Sequence, residues 1–223
     1  MSGTGYRIGT ALGRFIFFRT VRLKVLRLEA LNHEGPLIIA CTHLSHIDPF
    51  LLSILVRRRR IDWFARIEFW KYRVFGALMN WVDAIAVRRF GVAASAVRTG
   101  IERLRQGRVI GICPEGGVAQ GMRSVMRGGP MKKGVCLISY RSGVPVLPCV
   151  MLGTDKLNRV PPWIPFRRAR LWVGFGPRLV YPQQDNTDRR AARDAMAAEL
   201  SREYQALFEE VKQAFAIDDS QVP

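Results

Sequence analysis

Two histidines and an aspartate lie within six residues of the stretch ACTHLSHIDPFLLSIL, residues 40–55. His43 follows an apolar run that predicts a strand, and Asp48 opens a second run that predicts a helix. A carboxylate bonded to one imidazole nitrogen fixes the tautomer and leaves the other nitrogen as a base. With a reference pKa of about 6.5, that imidazole is expected to be mostly neutral at cytosolic pH. The spacing therefore predicts a general base, His43, oriented by Asp48, that acts on a substrate hydroxyl.

Two other interpretations use the same residues. Ser45, Asp48 and Pro49 also suit a helix start, with a loose capping box and a first-turn proline, but this leaves His43 unexplained. Alternatively, His43, His46 and Asp48 could bind a metal in a metal-dependent hydrolase. Because His33 is the only other histidine, carboxylates such as Asp83 or Glu115 would have to complete that site.

The elements that must position these residues alternate along the chain. Short apolar runs predict strands, and the segments at about 49–57, 92–106 and 131–142 predict helices. The predicted strands are PLIIACT, AIAVRR, VIGICP, VPVLPCVML and ARLWVGFG. This alternation predicts a single α/β layered domain over residues 1–223, with a mostly parallel central sheet flanked by helices.

An amphipathic helix is predicted at each end of the domain. Residues 1–25 predict a membrane-associating helix, although packing of that helix on the core explains its pattern equally well. Residues 26–184 would form the catalytic core, and 185–216 the C-terminal helix, capped within 185–187. The apolar stripe of this last helix comprises Met196, Leu200, Tyr204, Leu207, Val211 and Phe215.

Composition restricts the classes of partner. The 223 residues include 35 Lys and Arg against 18 Asp and Glu, a net charge of +17, which favours an anionic partner. Cations concentrate at 7–27, 57–60 and 159–170, the last among proline and aromatic residues, which suits an anionic membrane surface. No nucleic-acid motif accompanies them, so a nucleic-acid partner is not expected.

Four cysteines without a C-x-x-C pair indicate a reducing compartment, and no apolar run is long enough to span a membrane.

Four blocks, in order over most of residues 25–180, resemble the glycerolipid acyltransferase family, which includes the bacterial 1-acylglycerol-3-phosphate acyltransferases. The first two are the H-x4-D motif in THLSHIDPFLL and residues 65–89, with Glu68, Phe75, Gly76 and Arg89 at matching places. The others are GICPEGGV, residues 111–118, and the lysine-glycine helix with its V-P-V-x-P strand, residues 131–154.

The resemblance implies acyl transfer from a thioester, on coenzyme A or acyl carrier protein, to a lysolipid hydroxyl at the cytoplasmic face of a membrane. His43 and Asp48 would be catalytic, and no metal or other cofactor would be required. The substrate-binding residues implied are Glu115, Gly116, Gly117, Arg89 and Lys133. Backbone amides near the glycines after Glu115 would stabilise the oxyanion.

One position departs from the family pattern. Where the family has an arginine suited to an acceptor phosphate, this chain has Val118. Arg123 or Arg127 could reach the same phosphate, or the acceptor could carry none there. Two further hypotheses remain open: a thioester hydrolase, and a basic membrane- or nucleic-acid-binding module with an inactive site.

Overall fold

A computed structural model describes residues 21–56, 59–88, 94–159, 169–181 and 188–222. These residues form a seven-stranded sheet in the order β1-β7-β6-β2-β5-β3-β4. The strands are β1 (Val21–Leu26), β2 (Leu37–Cys41), β3 (Ile61–Arg66), β4 (Ile85–Val87), β5 (Val109–Ile112), β6 (Val146–Leu152) and β7 (Ala169–Phe175). All neighbouring strands pair in parallel except β6 and β7. The prediction of an α/β domain with a mostly parallel sheet is confirmed.

Strand direction defines two edges of this sheet. Strands β2 to β6 all run the same way, so they end together at what we call the carboxyl edge and begin at the amino edge. Because β7 is antiparallel to β6 and parallel to β1, these two strands end at the amino edge. The residues that follow β2, β3 and β5 therefore meet at the carboxyl edge, where sites of parallel sheets are usually built.

Helices cover both faces of the sheet. The described α-helices are α1 (Asp48–Leu55), α2 (Arg73–Trp81), α3 (Ala94–Arg105), α4 (Gly134–Ser142) and α5 (Arg189–Phe215). One face buries residues of α3, α4 and α5 together with β-strand residues such as Ile38 and Ile110. The opposite face buries Leu51 and Leu52 of α1 against Ile39 and its neighbours. None of the helices described is long and apolar enough to cross a bilayer.

Helix α5 packs closely on β7 because Gly174 has no side chain. A Cβ at Gly174 would collide with the side chain of Val211 on α5. The hydroxyl of Tyr204, also on α5, donates to the carbonyl of Ala40 at 2.8 Å. The C-terminal helix therefore holds β2 close to the point where that strand ends.

The ends of the domain differ in part from the prediction. Residues 21–25 lie in β1 rather than in a helix, because Val21, Leu23 and Val25 alternate with two cations along an edge strand paired with β7. The remainder of the predicted N-terminal helix lies outside the described residues. The C-terminal helix begins at Arg189, and its cap is Asp188, whose side chain accepts from the amide of Arg190 at 2.9 Å.

Candidate active site

The turn between β2 and α1 brings His43 and Asp48 together. Nδ1 of His43 lies 3.1 Å from Oδ2 of Asp48, and the same oxygen accepts the amide of Ser45 at 2.7 Å. With Pro49 in its first turn, α1 begins at Asp48, so the carboxylate returns toward the end of the strand. When the imidazole is neutral and Nδ1–H donates to Asp48, the lone pair lies on Nε2. The turn thus brings together the two residues that the sequence predicts as a base and its orienting group.

The electrostatics of this pair differ from the prediction of a neutral imidazole. Asp48 is fully buried, and its Oδ1 has no hydrogen-bond partner among the described residues. Burial alone lowers the pKa of His43, but the hydrogen bond to Asp48 and the charges of Cys113, Asp48 and Glu115 raise it to about 9. In the resting protein His43 is therefore mostly an imidazolium near pH 7, because the buried carboxylate stabilises the charged ring.

The carboxylate of Glu115 links the residue that follows β2 to the loop that follows β5. Its Oε2 accepts the amide of His43 at 2.6 Å, and its Oε1 accepts the hydroxyl of Ser124 at 2.5 Å and the amide of Val125 at 3.1 Å. Burial raises the pKa of Glu115, and these three bonds oppose the rise. Both oxygens are thus occupied by the protein itself. The sequence predicts that Glu115 binds substrate; in the structure its carboxylate positions the backbone of His43 and the loop after β5.

The loop after β5 contains the two glycines predicted for the site. The amide of Gly116 donates to Cys113 at 2.9 Å in a turn that requires φ of +72°, and the amide of Ala119 donates to the carbonyl of His43 at 2.8 Å. Among the described residues, no atom of another residue beyond its two chain neighbours lies within 4 Å of the position that a Cβ on Gly117 would take. In the described part of the chain, the amides of Gly117 and Val118 donate to no acceptor. Two donors therefore remain in the segment predicted to stabilise an oxyanion.

The cations are arranged differently from the prediction. Lys133 pairs with Asp194 at 2.6 Å on the surface of α5. Its neighbour Lys132 lies over Gly116 instead: a Cβ built on that glycine would be 2.5 Å from the Lys132 Nζ. The sequence shows two adjacent lysines before the first residue of α4, Gly134. The pair alone does not show which of the two lysines turns toward the loop after β5.

The three arginines considered for substrate binding do not lie together in the described part of the chain. Arg127 places its guanidinium 5.2 Å from the ring centroid of Phe208, and Arg123 is exposed in the loop that leads to Ser124. Arg89, predicted to bind substrate, lies outside the described residues. Ser124, which contacts Glu115, has no signal in the sequence because the eight residues between them form an irregular loop.

The geometry does not favour a metal at His43. His46 is exposed, with its ring centroid 6.0 Å from that of His43 and edge-on to it. Burial and the charges of His43 and Arg66 lower the pKa of His46. Within the described ranges, no three His, Cys, Asp or Glu residues cluster as metal ligands do. The hypothesis of a metal-dependent hydrolase gains no support from this arrangement.

Comparison with known proteins places the site within a recognised sequence family. The family model described as acyltransferase matches residues 22–152, a range that contains His43, Asp48 and Glu115. The chain is 26% identical over 134 residues to the 1-acyl-sn-glycerol-3-phosphate acyltransferase of Bacillus subtilis, covering 60% of this chain and 64% of that protein. It is 28% identical over 128 residues to a probable 1-acyl-sn-glycerol-3-phosphate acyltransferase of Mycoplasma genitalium, covering 54% of this chain and 46% of that protein.

The fold also matches a solved structure. The crystal structure of the 1-acyl-sn-glycerophosphate (LPA) acyltransferase PlsC from Thermotoga maritima superposes with a TM-score of 0.64. The match covers 92% of this chain and 78% of that chain at 20% identity. At this identity the likeness concerns the fold. The matched part of this chain spans just under two thirds of the Bacillus protein and just under half of the Mycoplasma protein.

Proposed function

The chain belongs to the acyltransferase family, and we propose that it transfers a fatty acyl group from an acyl thioester to the hydroxyl of a lysolipid such as 1-acylglycerol-3-phosphate. The donor would be acyl-CoA or acyl carrier protein. The observation that carries the proposal is the 3.1 Å contact between His43 and Asp48 at the carboxyl edge. No metal or other cofactor is part of the proposal.

The proposed reaction uses Nε2 of neutral His43 as the base. Nε2 takes the proton of the lysolipid hydroxyl while that oxygen attacks the thioester carbonyl, and the resulting imidazolium is stabilised by Asp48. When the tetrahedral intermediate collapses, the C–S bond breaks and the sulfur leaves with the proton held by His43. The products are an ester and a free thiol. The amides of Gly117 and Val118 are the proposed donors to the oxyanion.

For the acceptor phosphate we propose Lys132 in place of the family's arginine. Val118 offers no charge, and the Lys132 ammonium lies against Gly116, beside the proposed oxyanion donors. Arg123 is the second cation of this loop, whereas Arg127 is engaged with Phe208. A lysine would bind phosphate as a point charge, without the bidentate geometry of an arginine.

We further propose that the enzyme acts as a peripheral protein at the cytoplasmic face of a membrane. The net charge of +17 favours an anionic lipid surface. All four cysteines, which lie in the described ranges, are free thiols, as suits a reducing compartment.

An acyl-transfer assay tests this function. Purified protein would be incubated with a panel of lysolipids and with acyl-CoA or acyl carrier protein donors, and ester formation and free fatty acid measured separately. Wild type should form ester, and His43→Ala should lower kcat/KM about 10²–10⁴-fold, the contribution typical of a general base. Asp48→Asn should also lower it strongly, whereas His46→Ala should have a mild effect.

Three results would contradict the proposal. Wild-type turnover by His43→Ala would exclude His43 as the base. Release of free fatty acid without ester would identify a thioester hydrolase. Equal losses in His43→Ala and His46→Ala, with activity restored by added zinc, would indicate a metal site.

A further inference from the structure

Residues 67–81, which follow β3, expose large apolar side chains to solvent. We call this stretch the 67–81 segment; it comprises the short helical turn Ile67–Lys71, then Tyr72, and then α2. Tyr72, Val74 and Phe75 are 64%, 79% and 51% exposed. Side chains of this size are usually buried, and a contiguous group of them on a surface marks a binding site.

The segment is an ordered structure rather than an extended loop. Trp70 Nε1 donates to the side-chain oxygen of Asn80 at 2.7 Å, and the amide of Gly76 donates to the carbonyl of Tyr72 at 2.7 Å. Gly76 is the only buried residue of α2, and a Cβ there would lie 3.3 Å from the backbone of Trp70. The ring of Phe75 is 6.3 Å from that of Tyr72. Helix α2 therefore packs closely at its glycine; its first three residues are exposed, whereas several residues toward its C-terminal end are partly buried.

The segment begins at the same edge of the sheet as the proposed active site and runs back toward the amino edge, where the carbonyl of Trp81 accepts from Arg60 at 3.2 Å. It leaves β3 at the carboxyl edge, where β2 leads into His43 and β5 leads into Glu115. Two other exposed apolar side chains belong to this edge. Phe50, 42% exposed, is in the first turn of α1, and Met122, 75% exposed, is in the loop after β5.

Cations are interleaved with these apolar side chains. Lys71 and Arg73 flank Tyr72, and both are exposed. Arg66 precedes the segment and Arg123 follows Met122; the one acidic residue among them, Glu68, lies 3.6 Å from Arg66. Apolar side chains surrounded by Lys and Arg complement the interface of an anionic bilayer, where hydrocarbon lies beneath phosphate.

From these observations we propose that the beginning of the 67–81 segment, with Tyr72, Val74 and Phe75, inserts into an anionic phospholipid leaflet and turns the carboxyl edge toward it. Phe50 and Met122, which are exposed at the same edge, would contact the same leaflet. This inference rests on the proposed function, because it brings the base to the surface from which a lysolipid hydroxyl would be supplied.

The opposite edge of the sheet provides a matched control. Leu28, which follows the end of β1, and Val180, next to the bridge between Leu179 and the start of β6, are both at the amino edge. They are 47% and 63% exposed. A pair of exposed apolar side chains can therefore be removed from either edge by serine substitution. Tyr72 is the N-cap of α2, where serine is favourable, so the substituted helix should still form.

The experiment compares the full chain with Tyr72→Ser/Val74→Ser and with Leu28→Ser/Val180→Ser by co-sedimentation with phosphatidylglycerol vesicles, without substrates. The 72/74 variant should bind about tenfold more weakly or worse, because binding scales with the apolar area inserted. The 28/180 variant should remain within about twofold of wild type. Equal binding by wild type and the 72/74 variant, with both folded by circular dichroism, would overturn the proposal.

Two further measurements separate this proposal from its alternatives. The 72/74 variant should lose activity toward a lysolipid presented in vesicles but retain it toward a short-chain, monomeric acceptor; equal loss toward both would indicate a substrate-binding role instead. Sedimentation equilibrium without lipid should give the same mass for wild type and variant, since a wild-type dimer that the variant abolishes would make the segment a contact between copies. If wild type transfers no acyl group at all, the proposed function fails, while the vesicle comparison still tests the segment.

Discussion

The protonation of His43 depends on two opposing effects at a single residue. The side chain is only 14% exposed, and this burial favours the neutral ring, whereas the Asp48 carboxylate, fully buried beneath it, favours the charged ring. The carboxylate prevails, and the pKa of about 9 means that a general base must lose a proton before it can act. Near pH 7 the proposed base is therefore mainly in its protonated form.

We expect kcat/KM to rise with pH until about pH 9. Below its pKa, the neutral fraction of His43 increases about tenfold per pH unit, so the rate should rise with unit slope from pH 7 to 8 and level off near 9. This range lies above the second phosphate pKa of about 6, so the acceptor charge stays nearly constant. The measurement is initial ester formation, corrected for hydrolysis without acceptor.

Asp48→Asn is the control for this profile. Removing the carboxylate removes the main cause of the raised pKa, so the inflection should move to lower pH while the plateau falls. A wild-type rate that is constant between pH 7 and 9 would contradict the assignment of His43 as a base with this pKa.

Two adjacent lysines allow a matched test of acceptor recognition. Lys132 lies against Gly116, whereas Lys133 is paired with Asp194 on the surface. Lys132→Met should lower kcat/KM for lysophosphatidic acid at least about tenfold, the loss of a charge-assisted bond, and should affect a lysolipid without that phosphate much less. Lys133→Met should change neither value by more than about threefold.

The comparison of the two lysine variants can also exclude Lys132 as the residue that recognises the acceptor phosphate. If Lys132→Met and wild type prefer the same acceptor by the same factor, Lys132 does not recognise phosphate. Arg123→Ala would then be the next variant to compare, since Arg123 is exposed in the same loop.

At the scale of secondary-structure elements, charged residues at the amino edge join β3, β4 and β5. Arg108, just before β5, donates to the fully buried Asp62 of β3 at 2.6 Å and to Asp83, before β4, at 2.6 Å. Arg103 at the end of α3 approaches Asp62 at 3.3 Å and Asp83 at 3.1 Å. Burial raises the pKa of Asp62, and the arginines oppose that rise. The network is distant from the carboxyl edge, so we assign it to stability.

Removing one arginine should therefore destabilise the fold without impairing the chemistry. Arg108→Met leaves the buried Asp62 with weaker partners and should lower the free energy of unfolding by about 2 kcal/mol. Arg105→Met, an exposed control 4.0 Å from Glu102, should change it by less than about 0.5 kcal/mol. Denaturant unfolding measures both, and kcat per folded molecule should match wild type. A stability equal to that of wild type in Arg108→Met would show that the network contributes little.

For the whole molecule, the dominant property is its charge. With +17, the protein should bind phosphatidylglycerol vesicles more tightly than phosphatidylcholine vesicles. Each Lys or Arg near an anionic surface contributes about 1 kcal/mol, and the effect decays over a Debye length of about 10 Å at 0.1 M salt. Binding should therefore weaken at least about tenfold between 0.05 and 0.5 M NaCl, as measured by co-sedimentation. Equal, salt-independent binding to both vesicle types would contradict this prediction.

Contacts between residues close in the chain could be predicted from the sequence alone. The α/β class follows from apolar runs that alternate with helical periods, and the His43–Asp48 contact is made across five residues of one turn. Three of the four blocks that resemble the family in sequence fall within the range that the family model matches, residues 22–152, and the fourth, 131–154, ends two residues beyond it. Local geometry and local hydrophobic pattern are sufficient for these features because a strand end, a tight turn and a helix start leave little conformational freedom.

Features that depend on distant parts of the chain were decided only by tertiary structure. Lys133 rather than Lys132 was predicted for the site, but Lys133 reaches Asp194, 61 residues away, and this leaves Lys132 beside Gly116. Residues 21–25 join the sheet because β7, almost 150 residues later, provides a strand for them to pair with. The pKa of His43 depends on the burial of Asp48 and on Glu115, 72 residues away. Desolvation and long-range pairing arise only when distant segments pack together, so the sequence pattern predicted the pairing of His43 with Asp48 but not the raised pKa of His43.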